Sequence, residues 1–325
     1  MDRPDKRRNH LTPTSRLGGT SFLPVALLSL VFCHAVYSYS EKDEYYGFPP
    51  TMQAFGIGIT LLYVMGLVDD LKGINFKIKL CIQVLAASIP AFSGLNFHYL
   101  LTEIGLTQFP YTLNLILTIF FIVYTTNAIN FIDGIDGLAG GIGILTFLTY
   151  TIISLFCGED ALVFLCVSSL GILSAFLIFG IYGCPTNRKK IFMGDTGSQT
   201  LGFFISYIIL ALISASSPPL IPIDKLALII LSPILIPLFD VIHVVYVRLR
   251  KHSSIFLPDR QHIHHMLLNT GLSASSTLVV LLIISLCYIL LNTLFLLILP
   301  FYATIAIDVI VWLLIIHYIN NKSTK

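Results

Sequence analysis

The stretch Asn127 to Gly141, NAINFIDGIDGLAGG, puts amides and carboxylates where hydrophobicity alone would place the mouth of a transmembrane helix. Asn127, Asn130 and Asp133 recur every third residue, so on a helix each lies about 60° round from the last and the three share one stripe. Gly134 and Gly137 then loosen the backbone, which frees Asp136 to sit in a loop beside that stripe. Two amides and two carboxylates are thereby expected to converge next to lipid. A carboxylate carried to mid-membrane costs about 2.5–3.5 kcal/mol on insertion scales, so the cluster should line an aqueous cleft and hold a cation, a ligand or both.

The rest of the chain agrees with a membrane setting. Of its 325 residues 56% are hydrophobic and 11% charged, with a mean hydropathy of +0.87; an ordinary soluble domain is about 25% charged. Apolar stretches near 20–38, 50–68, 80–95, 110–126, 138–157, 161–182, 199–216, 226–247, 275–293 and 302–319 can each cross the hydrocarbon with some tilt. The predicted fold is all-α and polytopic, with about ten spans. No soluble domain fits between them, so residues 1–325 read as a single integral-membrane domain with a basic lead-in at 1–19. Alternating strand patterns are absent, which argues against a barrel. A net charge of +2 excludes a strongly basic nucleic-acid surface. The six cysteines show no CxxC spacing and read as small buried hydrophobes.

Ten spans put both termini on one side, and 17 of the 19 lysines and arginines fall on that side, leaving Lys42 and Lys225 on the other. By the positive-inside tendency the lysine-rich side is cytoplasmic. All the chemically loaded loops, 69–79, 127–137, 183–197 and 248–274, share that face, whereas a transporter tends to place its polar groups near mid-membrane. Gly56-x-Gly58 and Gly140-Gly141-x-Gly143 read as helix-packing glycines, and such faces permit a homodimer. Asp308, His34, His98 and His317 have no visible partners and read as packing or interfacial residues.

Each remaining loop carries a recognisable chemistry. Asp69 and Asp70 end a span and repel one another unless a cation joins them; magnesium suits such a pair because it takes one or two carboxylates together with phosphate oxygens. Lys72, Lys77 and Lys79 follow as compact positive charges for phosphate. In IFMGDTGSQT, Gly194 to Ser198 form a tight turn suited to close approach by phosphate, and Asp195 adds a carboxylate. In PDRQHIHHML, Arg260, His262, His264 and His265 lack the i,i+4 pairing of a helical zinc motif, and recognition of phosphate or sugar is preferred. Asp240 and His243 precede them at i,i+3 on one helix face and either line the same cleft or hydrogen-bond between helices, the latter being preferred.

In this order and on one face, DD, NxxNxxDGxDGLAGG, FMGDTGS and PxRxHxHH resemble the motifs of the polyprenyl-phosphate N-acetylhexosamine-1-phosphate transferase family over nearly the whole chain. The HIHH form and the lead-in DRPDKRRNHLTPTSRLGG are most similar to the bacterial undecaprenyl-phosphate GlcNAc-1-phosphate transferases of that family. They look less like its phospho-MurNAc-pentapeptide translocases. The resemblance implies a multi-pass enzyme of the bacterial inner membrane that moves a sugar-1-phosphate from a UDP-sugar to undecaprenyl phosphate, with release of UMP and with magnesium or manganese as cofactor. By the same resemblance Asn130 and Asp195 match metal ligands and Lys79 the diphosphate-binding lysine. Asp136 matches the uracil contact, and Asp69 and Asp70 an essential acidic pair. Asn127, Asp133, Arg260, His262, His264 and His265 complete the candidate substrate-binding set. The family usually has a further span ahead of the lead-in, which implies either a start upstream of Met1 or a protein that works with ten. A CDP-alcohol phosphotransferase is disfavoured because DGIDGLAGG lacks that family's arginine and its spaced continuation.

Overall fold

A computed structural model of the chain describes residues 15, 17–40, 49–183, 190–214, 221–254, 261–295 and 298–323. Its helices, in chain order, are α1 (Phe22–Ser40), α2 (Pro50–Lys72), α3 (Phe76–Phe92), α4 (His98–Glu103), α5 (Tyr111–Ile132), α6 (Leu138–Cys157) and α7 (Asp160–Tyr182). They continue with α8 (Gly194–Ile213), α9 (Ile223–Leu231), α10 (Leu235–Arg250), α11 (Ile263–Asn269), α12 (Ala274–Phe295) and α13 (Phe301–Ser323). Short 3-10 turns at Leu17–Ser21 and Ser232–Ile234 lead into α1 and join α9 to α10. Every apolar stretch expected to span is helical, and no strand forms among the described residues.

Eight helices are long and apolar enough to cross a membrane among the described residues, α9 and α10 acting as one rod. The expected count of ten is reached only with two that fall short. One is α3, with 17 residues and two lysines in its first turn; the other is the apolar run that begins at Leu17. Helix α3 nevertheless runs the length of the bundle. At one end the chain near Gly18 meets Phe192 and Lys79 meets Asp195, while at the other end Asn96, just past α3, bonds Ser214 at the end of α8.

Helix α8 is the axis of the bundle. Nearly all of it from Thr196 onward is buried, and α2, α5, α6 and α9 pack on it together with the Leu17–Ser21 turn, while α3 reaches it through Lys79 and Gln83. The close approach depends on missing side chains. A Cβ on Gly66 of α2 would lie 2.5 Å from Thr196 Cα, one on Gly202 of α8 would lie 2.7 Å from Thr126 Cα, and one on Gly19 would lie 2.1 Å from Gly197 Cα. Among the glycines read as packing residues, Gly58, Gly140, Gly141 and Gly143 meet neighbours within about van der Waals reach, while Gly56 faces open space. Two of the cysteines, Cys81 and Cys287, also face outward rather than into the core.

Two deep polar groups find their partners on a neighbouring helix. Pro237 has no N–H for the carbonyl of Pro233, one turn earlier, and Ser285 Oγ donates to that carbonyl at 2.8 Å instead. Asp308, expected to lack a partner, accepts from Asn292 Nδ2 at 3.1 Å, and the same amide reaches Ser232 Oγ at 2.9 Å.

The contrast between two glycines of one helix is testable. Gly66→Ala should destabilise the protein by about 1–3 kcal/mol through overpacking against the α8 backbone. Gly56→Ala should be neutral or slightly stabilising, because alanine favours helix and nothing lies within 4 Å of the new methyl. Thermal unfolding midpoints of the two variants in detergent decide the matter.

Candidate active site

The four loaded loops meet at one end of the bundle. The C-terminal end of α2 lies against the N-terminal end of α8, and the adjacent aspartates divide their work there. Asp70 accepts from the backbone N–H of Asp195 at 2.9 Å, from the N–H of Thr196 at 2.9 Å and from Thr196 Oγ1 at 2.6 Å. The first N–H groups of any helix lack intrahelical partners, and Asp70 supplies theirs from another helix. Asp69 turns the other way. Its Oδ1 accepts from Ile74 N–H at 2.7 Å, which ties down the tight turn between α2 and α3.

Lys79, one turn into α3, sits between two of the acidic motifs. Its ammonium is 2.7 Å from Asp69 Oδ2 and 2.6 Å from Asp195 Oδ1. Asn130, in the last turn of α5, donates to the same Asp195 oxygen at 2.9 Å and to Ser198 Oγ at 2.7 Å. Lys79, Asp69, Asn130 and Asp195, named from three separate loops, thus form one hydrogen-bonded cluster.

The other residues of the NxxNxxD stripe part company at the helix end. Asn127 lies one turn deeper, where it pairs with Gln83. Asp133 caps α5. Burial, followed by the charges of Asp195, Asp136 and Asp70, pushes its carboxyl well above the ordinary carboxylate range. Asp136 stands at the rim and pairs with Lys190 at 2.5 Å. Gly137 then adopts a left-handed conformation, φ 82°, where a side chain would be strained, and starts α6.

The histidine loop is fastened from α10. Asp240 accepts from the backbone N–H of Ile263 at 2.8 Å and pairs with His262 Nδ1 at 2.7 Å, so its reading as an inter-helix hydrogen-bonding residue holds. His264 is 1% exposed with neither ring nitrogen hydrogen-bonded, and it presses on the DGIDG loop so closely that a Cβ on Gly134 would lie 2.0 Å from its Nε2. Burial, then the neighbouring His265 and His262, lowers its pKa to about 3. His264 is therefore neutral at pH 7 and meets the DGIDG loop by contact rather than by charge. The ring of His265 lies 4.2 Å from that of His264, tilted by 46°. Arg260 lies outside the described residues.

Several residues of the cluster have partners that the motif reading did not assign. Thr196 and Ser198 hold Asp70 and Asn130, Lys190 covers Asp136, and Gln83 and Gln199 lie beneath the cluster. The glutamines did leave a signal. Each is a lone amide in an apolar helix, four residues beyond a charged site residue.

Among the described residues, no three His, Cys, Asp or Glu side chains converge closely enough to cage a metal on their own. The donors at hand are the oxygens of Asp195 and of the Asn130 amide, beside a surplus of negative charge expressed in Asp133. Such hard, incomplete oxygen sets suit magnesium completed by substrate phosphate and disfavour a structural zinc.

Comparison with known proteins agrees with the four motifs. The undecaprenyl-phosphate alpha-N-acetylglucosaminyl 1-phosphate transferase of Salmonella typhi is 29% identical over 285 residues, covering 86% of this chain and 72% of that protein. Its counterpart in Escherichia coli K12 is 28% identical over the same extent. A probable undecaprenyl-phosphate N-acetylglucosaminyl 1-phosphate transferase of Bacillus subtilis is 29% identical over 291 residues, covering 87% of this chain and 74% of that protein. The family model described as glycosyl transferase family 4 matches residues 52–213. That segment runs from α2 through α8 and carries Asp69, Asp70, Lys79, Asn130 and Asp195, and the chain belongs to glycosyl transferase family 4.

Proposed function

We propose that this protein transfers GlcNAc-1-phosphate, or a closely related N-acetylhexosamine-1-phosphate, from a UDP-sugar to undecaprenyl phosphate at the cytoplasmic face of a bacterial inner membrane. The observation that carries the reading is Lys79 bridging Asp69 and Asp195 beside Asn130, in a chain whose relatives are named for this transfer. The cluster lies at the lysine-rich end of the bundle, which supports a cytoplasmic orientation.

In this reading an oxygen of the lipid phosphate attacks the sugar-bearing phosphorus of the nucleotide sugar. The bond from that phosphorus to the bridging oxygen of the diphosphate breaks, and UMP leaves with that oxygen. A phosphate monoester with a second pKa near 6 is already largely ionised at neutral pH, so attack needs positioning and charge neutralisation more than a base. Lys79 is placed to hold the diphosphate once substrate competes with the carboxylates for its ammonium. Asp69 keeps Lys79 aimed, and its own Oδ1 is held by the Ile74 amide, which favours a single displacement over an aspartyl-phosphate. Asp70 serves by holding the turn that presents Asp195. Asp136 and Lys190 at the rim suit the nucleotide, and the histidine loop suits the sugar or its phosphate.

Asn130 and Asp195 would hold magnesium, with manganese as a substitute, and a bound ion there would act as a Lewis acid on the phosphoryl oxygens. Detergent-solubilised protein given labelled UDP-GlcNAc, magnesium and undecaprenyl phosphate should yield lipid-linked sugar and UMP in equal amounts, and chelation with EDTA should abolish both. Uptake of a solute by proteoliposomes without UMP release would replace this reading with a transporter. Lys79→Ala, Asp69→Asn and Asp195→Asn should each lower transfer by at least about 100-fold while the protein still inserts. No radioactive phosphoenzyme should accumulate when the lipid acceptor is withheld.

The neutral His264 makes a separate prediction. Its pKa rises from about 3 in the folded protein to 6.5 in the unfolded chain. Below that upper value the unfolded chain takes up a proton that the folded protein refuses. Stability should therefore fall on acidification from about pH 6.5 toward pH 3, by at most about 1.4 kcal/mol per pH unit from this group. His264→Gln should flatten the dependence of the thermal midpoint on pH over that window.

A further inference from the structure

One helical turn below Lys79, Asn130 and Asp195 lies a layer of three amides, each on the same helix as one of those residues. Gln83 follows Lys79 by four residues on α3, Asn127 precedes Asn130 by three on α5, and Gln199 follows Asp195 by four on α8. Gln83 is 2% exposed and Gln199 fully buried. The expectation that Asn127 binds substrate is at odds with its bonds. Its amide nitrogen donates to Gln83 Oε1 and to the backbone carbonyl of Val123, both at 2.8 Å, and its oxygen accepts from Gln83 Nε2 at 3.2 Å.

The layer has a direction. The carbonyl of Val123 can only accept, so it fixes which end of the Asn127 amide is nitrogen. Asn127 then presents its oxygen to Gln83, which must answer with nitrogen, and the second N–H of that nitrogen reaches Gln199 Oε1 at 3.0 Å. Gln199 is left with its own nitrogen facing Asp195 Oδ1, at 3.5 Å. A buried amide reversed anywhere along this series would set oxygen against oxygen or leave a donor unpaired, at a cost of about 1–3 kcal/mol per group. The orientation of the last amide is thus dictated by a helix carbonyl three residues away in the relay.

We propose that Gln83, Asn127 and Gln199 are positioning residues for the transfer. They form a one-way amide relay that holds the Asp195 carboxylate in the orientation where it meets Lys79 and Asn130, and none of the three touches substrate. The proposal rests on the reading of Asp195 as a centre of the reaction, and it gives Asn127 a supporting role and adds two glutamines to which the motif reading assigned none. Its force is geometric: Asp195 Oδ1 meets Lys79 at 2.6 Å and Asn130 at 2.9 Å from above, and the Gln199 amide approaches the same oxygen from below at 3.5 Å.

The test uses the full-length protein in detergent with the near-isosteric variants Gln83→Met and Gln199→Met and their combination. Each single variant should lower kcat by about 10- to 100-fold with the KM for UDP-GlcNAc changed less than about threefold, the range for partners that orient a ligating group. Because both act through one series, the double variant should be no slower than the slower single one. The shortened Gln199→Asn, which keeps the polar group but withdraws it from Asp195, should reproduce the loss in kcat without the apolar replacement. A readout free of turnover accompanies these: in 15N-glutamine-labelled protein the Gln199 side-chain amide should be protected from solvent exchange and should lose that protection in Gln83→Met. Unchanged kcat in the single variants, losses that multiply in the double variant, or a Gln199 amide indifferent to Gln83→Met would each overturn the relay. Absence of transfer in the wild-type protein, with the Gln199 amide still responding to Gln83→Met, would overturn the proposed reaction and leave the relay standing.

Discussion

The whole site hangs on how the buried start of α8 is capped. A helix that begins inside a membrane bundle exposes N–H groups that water cannot reach, and each unsatisfied one costs several kcal/mol there. Asp70 meets two of them and the Thr196 hydroxyl from the end of a different helix. That single carboxylate therefore locks α2 to α8, and the lock is close only because Gly66 lets the backbones meet. Once the two helices are joined, Asp69 and Asp195 lie near enough for one ammonium to bridge them.

Charge then sets the character of the cluster. Lys79 offsets Asp69 and Asp195, and Lys190 offsets Asp136, but Asp133 is left among its neighbours with its carboxyl pushed toward the neutral form. Among the described residues the cluster holds more carboxylates than cations, a balance that would suit a further cation completed by phosphate oxygens. The neutral, buried His264 fits the same balance. It shapes the DGIDG loop by contact against Gly134 instead of adding charge.

A polar layer lies directly beneath the cluster. Lys79, Asn130 and Asp195 use the ends of their side chains at the mouth of the bundle, while Gln83, Asn127 and Gln199 use the next turn of the same three helices to hold them. Similar economy governs the far reaches of the bundle. Where Pro237 cannot pair with Pro233, Ser285 does, and where Asp308 enters the apolar region, Asn292 receives it. These two contacts fasten neighbouring helices as they satisfy the groups.

Apolar run lengths determined the helices, because roughly twenty residues are needed to cross hydrocarbon and the runs announce themselves. The alternation of lysine-rich and lysine-poor loops placed Asp69, Asn130 and Asp195 at one end, and the period of three put Asn127 and Asn130 on one face of α5. Spacing along one chain could not say that Asp69 and Asp70 point opposite ways, that Asn127 is bound to Gln83, or that His264 is buried and neutral. Those facts depend on which neighbouring helix comes within 3 Å of a given atom, a matter settled by glycines such as Gly66 and Gly202 at helix crossings. Helix identity is a local property of hydrophobicity and period; the partner of each polar side chain is decided only when distant helices pack.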